Sequence, residues 1–383
     1  MSQGRRRART SRTARACLVS FATPAVVWPA ELSLLTRTGG FAMAGNQPNL
    51  PPQAAMMQLL NGMTISRCIG LAAELAIADQ LADEPRTAAA LAAPASVDAG
   101  ALHRVLRTLA GVGIFAELSD GRFANTPLSE VMRSGAPGSV RNIARWITHP
   151  LHWRSVGDLD YSVRTGKSSV VKDHPGKMPF QILSEDKGAQ AVFNDAMMGL
   201  SLADAAVITG AYDFSRFRKI VDVGGGYGSL ATMIARAVPS ASVVVYDLPH
   251  VVEGARRHLD GAGLQRIETV GGSFLQEVPG PADLCVLRYI LHLGDDAGAT
   301  RILENCRKAL SPGGTVLVCE MMITPGPESM PARIMDIEML IGPGGRERSE
   351  SEFAGVFAAA GFALQRVIPT PMPIRLFEAV LEP

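Results

Sequence analysis

The sequence lacks a charge imbalance, paired cysteines and a long apolar run, and each absence argues against a class of protein. Lysine and arginine total 37 against 36 acidic residues, so no overall field would attract nucleic acid or an anionic membrane. The five cysteines are scattered and form no CxxC pair, which argues against a disulfide framework and a zinc site. No uninterrupted apolar run reaches the ~18 to 20 residues of a membrane-spanning helix. We therefore expect a soluble, cytoplasmic protein with no metal, membrane or nucleic-acid partner.

The first residues are arginine-rich and then apolar, which only loosely imitates a signal peptide. Pro24 and Pro29 interrupt the apolar part, and no clean cleavage site follows it. We expect residues 1–45 to be a disordered leader, translated from upstream of a natural start at Met43. A transit peptide is the alternative.

The amino-terminal half is predicted to be helical. Apolar residues from Met56 to Ala82 recur at helical spacing. A short helix from about Thr87 follows, and then a helix that Asp98 caps and that runs through Leu109. IFAEL, SDG and RFANT indicate a strand, a tight turn and a strand. This order predicts a winged helix, with further helices over residues 129–215.

A winged helix makes DNA binding the natural rival function, with His103, Arg104 and Arg107 on the recognition helix. A DNA-binding surface usually carries a basic stripe that neutralises several phosphates. Here the two arginines lie beside Ala101 and Glu117 instead. We therefore interpret them as a solvated helix face.

From Lys219 the pattern changes to short apolar runs separated by helices, which predicts a parallel sheet with helices on both faces. The helix GATRILENCRKAL is expected to end at a turn over residues 311–314. The fold class is therefore α/β, with the last of two consecutive final strands antiparallel. The seven predicted strands are KIVDV, SVVVYD, RIETVGG, DLCVLRYI, TVLVCE, ALQRVIPT and RLFEAVLEP.

A glycine-rich loop connects the first of these strands to its helix. Gly224, Gly226 and Gly228 allow a sharp bend and let a ligand approach the backbone and the free N–H groups of the helix. Asp247 ends the next strand, where a carboxylate can accept both ribose hydroxyls. NAD and a tight structural turn are the alternatives at this loop. The GxGxG spacing and the paired last strands favour S-adenosylmethionine.

At VDVGGGYG, YDLPHVVEGA, VLRYILHLGDD, ILENCRKAL and GGRERSESEF the chain resembles the small-molecule O-methyltransferases of the caffeic-acid, acetylserotonin and bacterial polyketide type. The resemblance implies a class I methyltransferase domain with a doubly wound seven-stranded sheet. It also implies a winged helix that forms an intertwined homodimer and helps close the partner's active site. The implied boundaries are 46–135 for the dimerisation domain, 136–215 for a connector lining the pocket, and 216–383 for the cofactor domain.

The resemblance assigns S-adenosylmethionine as the cofactor, S-adenosylhomocysteine as the product, and no metal. Arg288 stands where the family has a cofactor-contacting lysine or arginine. The expected cofactor-binding residues are Gly224, Gly226, Asp247, Ser273, Phe274, Arg288, Met197 and Ser201.

By the same resemblance His292 is the catalytic base, with Glu320 and Glu347 as the two acids beside it. A histidine suits this step because its usual pKa lies near neutrality. A carboxylate such as Glu347 can hold the second ring nitrogen and fix the tautomer. The alternative is a histidine merely packed at a strand end. The acceptor, a hydroxylated small molecule, is expected to contact Trp146, Phe193, Asp336 and Met339.

Two positions depart from the family. Its His-Asp-Trp becomes His292, Leu293 and Gly294, which alters the pocket wall behind the base. Its Gly-Asp pair becomes Gly271 and Gly272, so an aspartate that would contact the adenine amino group is missing. Three functions are therefore compared: an O-methyltransferase, a winged-helix regulator that binds the cofactor as a ligand, and a catalytically silent relative. N- or C-methylation also stays open.

Overall fold

A computed structural model describes residues 50–261, 263–264 and 266–381. The predicted leader, residues 1–45, lies outside these ranges.

The amino-terminal part contains the predicted winged helix. Helix α4 begins where the Asp98 carboxylate accepts a hydrogen bond from the Ala101 N–H at 2.7 Å. The small antiparallel sheet has the strand order β1-β3-β2. In this part the elements are α1 (Pro52–Glu74), α2 (Ile77–Gln80), β1 (Arg86–Thr87), α3 (Ala88–Ala92), α4 (Ala99–Gly111), β2 (Phe115–Glu117), β3 (Arg122–Asn125) and α5 (Pro127–Glu130).

A small core holds these elements together. Leu102, Leu106 and Leu109 share one face of α4 because they are three or four residues apart, and all three are buried. They form one apolar cluster with Ile77 and Phe123. Hydrophobic burial therefore fixes α4 against β3.

The following segment is helical, as expected. Its helices are α6 (Arg141–Ile147), α7 (Pro150–Gly157), α8 (Leu159–Thr165), α9 (Pro179–Glu185) and α10 (Lys187–Ala211).

Helix α10 is long and apolar enough to cross a membrane by length and composition alone, and 22% of its most apolar stretch is buried in the single chain. The carboxylates of Asp195 and Asp204 interrupt its apolar character. It packs against α6 on one side and against the first helix of the following domain, Ser229–Ala237, on the other. Helix α10 therefore joins the connector to the sheet domain.

The carboxy-terminal part is the predicted α/β domain. Its elements are β4 (Lys219–Val223), α11 (Ser229–Ala237), β5 (Ser242–Asp247), α12 (Pro249–Gly261), β6 (Glu268–Gly271), β7 (Ala282–Arg288), α13 (Asp296–Ala309), β8 (Leu310–Met321), α14 (Met330–Ile341), α15 (Glu350–Ala359), β9 (Phe362–Pro369) and β10 (Ile374–Leu381).

The seven strands form one sheet in the order β6-β5-β4-β7-β8-β10-β9. The pairs among β4 to β8 are parallel, and β10 runs antiparallel to both of its neighbours. This confirms the predicted α/β fold and its antiparallel last strand. The predicted turn over residues 311–314 lies within the bounds of β8 as an irregularity, because Leu310 pairs with Ala282 and Thr315 with Leu284, and Gly313 has a φ of +76°. The sheet order reverses between β4 and β7, which is where open sheets of this kind bind ligands.

Alternation along the strands divides the apolar residues between the two faces of the sheet. Val221 and Leu287 contribute to one buried cluster, whereas Ile220 and Val286 contribute to the other. Helices cover both clusters, so polar strand-end residues are directed to the carboxyl edge of the sheet.

Candidate active site

The glycine loop after β4 is shaped by close contacts. Gly224 has a φ of +69°, and a Cβ added there would lie 2.3 Å from Cδ1 of Ile290. Gly226 has a φ of +57°, but a Cβ there would meet no atom within 4 Å. Both backbones adopt the left-handed region that favours glycine. The open space in front of Gly226 makes the loop a cradle for a ligand.

Asp247 lies beside this loop at the end of β5. Its carboxylate accepts hydrogen bonds from the N–H groups of Gly226 at 2.9 Å and Leu248 at 2.7 Å. Burial raises the pKa of Asp247, and those two hydrogen bonds oppose the rise. Each carboxylate oxygen has two lone pairs and can still accept a hydroxyl. The residue can therefore bind a ribose, as the sequence predicts.

The segment after β6 contains Ser273 and Phe274. A Cβ added to Gly224 would lie 3.5 Å from Cε1 of Phe274, so the Phe274 ring reaches the glycine loop. The Asn305 side chain donates a hydrogen bond to the Phe274 carbonyl at 3.0 Å and fixes the segment. The structure thus brings Phe274 to the cradle without an aspartate at position 272.

Helix α10 meets the other side of the strand ends. Met197, Ser201 and Asp204 share a face because they are three or four residues apart. Arg288, at the end of β7, donates hydrogen bonds to Ser201 and, at 3.2 Å, to the buried Asp204 carboxylate. Burial raises the pKa of Asp204, and the charge of Arg288 opposes the rise. Sequence reasoning missed Asp204, although its helical spacing from Ser201 places the two together.

His292 lies in a short turn after β7 and is buried. Its Nδ1 is 2.6 Å from Oε1 of Glu347, and among the described residues no hydrogen-bond partner meets its Nε2. Burial lowers the pKa of His292 because it disfavours the charged ring. Burial and the nearby charge of Asp336 raise the pKa of Glu347 to about 8. Burial therefore favours the neutral form of both His292 and Glu347.

Glu320 also lies at this site, but it contacts the backbone rather than the imidazole. Its Oε1 accepts hydrogen bonds from the consecutive N–H groups of Ile290, Leu291 and His292, at 3.0, 2.6 and 3.2 Å. The side chain is completely buried at the end of β8. It therefore fixes the turn that carries His292, whereas the expectation placed it beside the imidazole ring.

A second fixing residue, Arg348, was missed in the sequence. Its fully buried guanidinium donates hydrogen bonds to the carbonyls of Leu291 at 2.9 Å and Gly294 at 3.1 Å, and to the Asp296 carboxylate at 2.9 Å. An arginine in a charged, glycine-rich segment gives no sequence sign of burial. Only tertiary packing shows that it clamps the turn.

Helix α14 supports Glu347 and the adjoining loop. Asp336 accepts a hydrogen bond from the Glu347 N–H at 2.8 Å. The carbonyl of Met339 accepts from Gly344 at 2.8 Å and Gly345 at 3.1 Å. The two residues predicted to line the acceptor pocket are thus attached to the segment that carries Glu347.

An aromatic group lies between α6, α7 and α10. The ring of Trp146 packs edge-on against Phe193 with centroids 4.9 Å apart, and 5.5 Å from the ring of His152. His152 contacts Glu338 of α14 at 2.7 Å. This second histidine–glutamate pair, with His152 buried and Glu338 half-buried, was not anticipated, because its members lie far apart in the sequence.

These contacts fit S-adenosylmethionine. The loop offers a cradle that glycine alone leaves open, Asp247 offers hydroxyl acceptors, and Phe274 offers an apolar ring. Arg288, Ser201 and the His292–Glu347 pair lie at the adjoining strand ends.

Comparison with known proteins identifies the family. The models of an O-methyltransferase domain and an O-methyltransferase dimerisation domain match residues 156–363 and 57–135. A phenazine O-methyltransferase of Lysobacter antibioticus is 38% identical over 86% of this chain and 96% of that protein. The structure of a mitomycin 7-O-methyltransferase has a TM-score of 0.80 at 36% identity, covering 86% of this chain and 98% of that one.

A further solved structure contains ligands. An O-methyltransferase from neocarzinostatin biosynthesis, in complex with S-adenosylmethionine and 2-hydroxy-5-methyl naphthoic acid, has a TM-score of 0.72 at 31% identity. The match covers 83% of this chain and 96% of the neocarzinostatin enzyme's chain. The chain therefore belongs to the family of S-adenosylmethionine-dependent small-molecule O-methyltransferases, with a dimerisation domain ahead of the O-methyltransferase domain.

Proposed function

We propose that this protein methylates a hydroxyl group of a small aromatic or polyketide-like molecule, with His292 as the base. The observation that carries the proposal is the 2.6 Å contact between Nδ1 of His292 and Glu347, which leaves Nε2 for the acceptor hydroxyl. Bound S-adenosylmethionine would supply an electrophilic methyl group. The protein has to align the acceptor oxygen and remove its proton.

The proton transfer follows from the pair. With Glu347 ionised, Nδ1–H donates to the carboxylate and the lone pair of Nε2 accepts the hydroxyl proton. The carboxylate then stabilises the imidazolium that forms. Glu320 acts through the backbone, because it fixes the turn rather than the ring. Its role in the proposal is therefore to position His292.

We assign cofactor binding to the residues around the cradle. Arg288 is held by Ser201 and Asp204, so its side chain is fixed before a ligand binds. Met197 lies one helical turn before Ser201 on the same face of α10. The assigned residues are Gly224, Gly226, Asp247, Ser273, Phe274, Arg288, Met197 and Ser201.

We assign the acceptor pocket to Trp146, Phe193, Asp336 and Met339. The edge-on pair of Trp146 and Phe193 supplies an aromatic surface, and offset or edge contacts of this kind favour an aromatic acceptor. Two relatives are named for the methylation of phenazine and mitomycin, and the neocarzinostatin enzyme was solved with a naphthoic acid. An aromatic hydroxyl is consistent with each.

We also propose that the protein is a cytoplasmic homodimer. Met56, Leu59, Leu60 and Met63 recur at the i, i+3, i+4, i+7 spacing of one helix face on α1, and each is more than half exposed in the single chain. A continuous exposed apolar face of this kind marks an interaction surface. It lies at the start of the matched dimerisation region.

Methyl transfer from labelled S-adenosylmethionine to a panel of phenols, flavonoids, hydroxyphenazines and hydroxynaphthoates tests the function. We expect transfer to at least one hydroxyl, lost in His292→Ala and retained in His258→Ala, whose histidine is exposed on α12. Retained transfer in His292→Ala would contradict the base. Cofactor binding without transfer to any acceptor would favour a silent relative, and mass analysis of the product separates O- from N- or C-methylation.

A further inference from the structure

Tyr289 has an unusual backbone for a bulky residue. Its φ of +56° lies in the left-handed region, which non-glycine residues seldom adopt and which strains an aromatic residue. Among the described residues Ala76 and Ser96 share this feature, but both lie in the amino-terminal domain. Strained backbone of this kind concentrates at functional sites. Tyr289 lies between Arg288 and the turn that carries His292.

The left-handed turn changes the face on which Tyr289 lies. Along β7 the side chains alternate, so Cys285 and Leu287 pack in one core cluster and Leu284 and Val286 in the other. Continued alternation would place residue 289 with Cys285 and Leu287. Tyr289 instead packs against the cluster of Leu284 and Val286. The turn therefore brings its ring to the same side as Arg288.

The ring then contacts two site residues. It is stacked on the imidazole of His292, with centroids 5.3 Å apart and planes at 25°. The guanidinium carbon of Arg288 lies 5.5 Å from its centroid. The backbone N–H of Tyr289 donates a hydrogen bond to the Cys319 carbonyl of β8 at 3.1 Å, which anchors the backbone. Gly294, two residues after His292, has no side chain that could hold the imidazole ring from the other end of the turn.

We propose that Tyr289 is a positioning residue, whose ring holds the imidazole of His292 in the plane in which Nε2 meets the acceptor. The proposal rests on the proposed function. The hydrogen bond to Glu347 fixes one nitrogen but leaves rotation about the Nδ1–carboxylate direction, whereas a stacked ring removes that rotation. Tyr289 contributes its aromatic face, and its hydroxyl is not required.

Three variants separate this role from a merely structural one. Tyr289→Phe keeps the ring, Tyr289→Leu removes it, and Tyr289→Asn removes it with a residue that tolerates the left-handed region. We expect kcat to fall about 10- to 100-fold in the Leu and Asn variants because the base is misplaced. The affinity for S-adenosylmethionine, measured by calorimetry, should be unchanged. The Phe variant should restore kcat.

A second measurement needs no acceptor. The ring-proton NMR resonances of His292, assigned with His292→Ala, should be displaced by the stacked ring in the wild type and in Tyr289→Phe. They should move towards free-histidine positions in the Leu and Asn variants bound to S-adenosylmethionine. Unchanged resonances and kcat in both ringless variants would overturn the proposal, as would equal losses in Phe and Leu. If His292→Ala retains transfer, the proposed base fails, while the NMR result still decides the stacking.

Discussion

The hydroxyl oxygen of Tyr246 fills the space into which a side chain at position 272 would project. A Cβ added to Gly272 would lie 2.4 Å from that oxygen and 2.7 Å from Cε2 of the ring. The hydroxyl donates a hydrogen bond to the Glu277 carbonyl at 2.7 Å, which holds the ring in place. The buried Tyr246 ring and any side chain at position 272 would therefore compete for the same space.

An aspartate placed at position 272 without any other change should not improve cofactor binding. We expect Gly272→Asp to lower the free energy of unfolding by about 1 to 3 kcal/mol, because it overpacks the site. Affinity for S-adenosylmethionine should fall as well. Urea unfolding and calorimetry measure the two effects.

The matched control is Gly272→Asp in a Tyr246→Leu background, which removes the obstructing ring. The penalty of the aspartate should then be smaller, with a coupling energy of at least about 0.5 kcal/mol. Strictly additive effects of the two substitutions would contradict a steric conflict between residues 246 and 272.

Activity should rise with pH through about 8. The base needs Glu347 ionised, and burial together with Asp336 raises the pKa of Glu347 to that value. The titration seen in such a profile would belong to the His292–Glu347 pair as a whole. Glu347→Gln should remove this limb of the kcat profile and lower kcat about 100-fold.

Asp336→Asn supplies the control for that profile. An asparagine oxygen can still accept the hydrogen bond from the Glu347 N–H, but the charge that raises the pKa of Glu347 is gone. The rising limb should therefore move to lower pH. A limb that stays in place would mean that another group controls the profile.

Stability should change in the opposite direction with pH. The pKa of Glu347 is raised from 4.5 to about 8, so the native state binds its proton more tightly than the unfolded state does. Its contribution to the free energy of unfolding is complete below pH 4.5 and is lost as the pH rises through about 8. Denaturant unfolding across this range should show a decline that is reduced in Glu347→Gln.

Loss of the Arg348 clamp should destabilise the protein. Arg348→Met leaves the buried carbonyl of Leu291 without its donor, at a cost of about 1 to 3 kcal/mol in the free energy of unfolding. Arg346→Met is the control, because Arg346 is 45% exposed and its surface ion pairs contribute about 1 kcal/mol or less. Equal losses in the two variants would contradict the clamp.

Charges on the exposed face of α1 should separate the dimer. Leu60→Glu with Met63→Glu places two carboxylates where an apolar contact is expected, and sedimentation should then give a monomer mass. Leu128→Glu changes a similarly exposed leucine on a different helix, α5, and should leave the mass unchanged. A dimer that survives the double substitution would place the interface elsewhere.

The fold was largely predictable because its signals are local. Alternation of apolar runs and helices gave the seven strands, and the Asp98 cap gave the start of α4. The turn predicted over residues 311–314 lies inside β8, because Leu310 and Thr315 on either side of it pair with β7. Pairing is a long-range effect that local composition does not reveal.

The sequence by itself determined the glycine loop, Asp247 and the pairing of His292 with Glu347, because each depends on residue type at a strand end or on the family pattern. Tertiary structure alone decided that Glu320 and Arg348 fix the backbone, that Tyr289 stacks on His292, and that Tyr246 excludes a side chain at 272. These roles arise where distant segments meet in a buried space. Sterics and hydrogen bonding there select partners that no local pattern specifies.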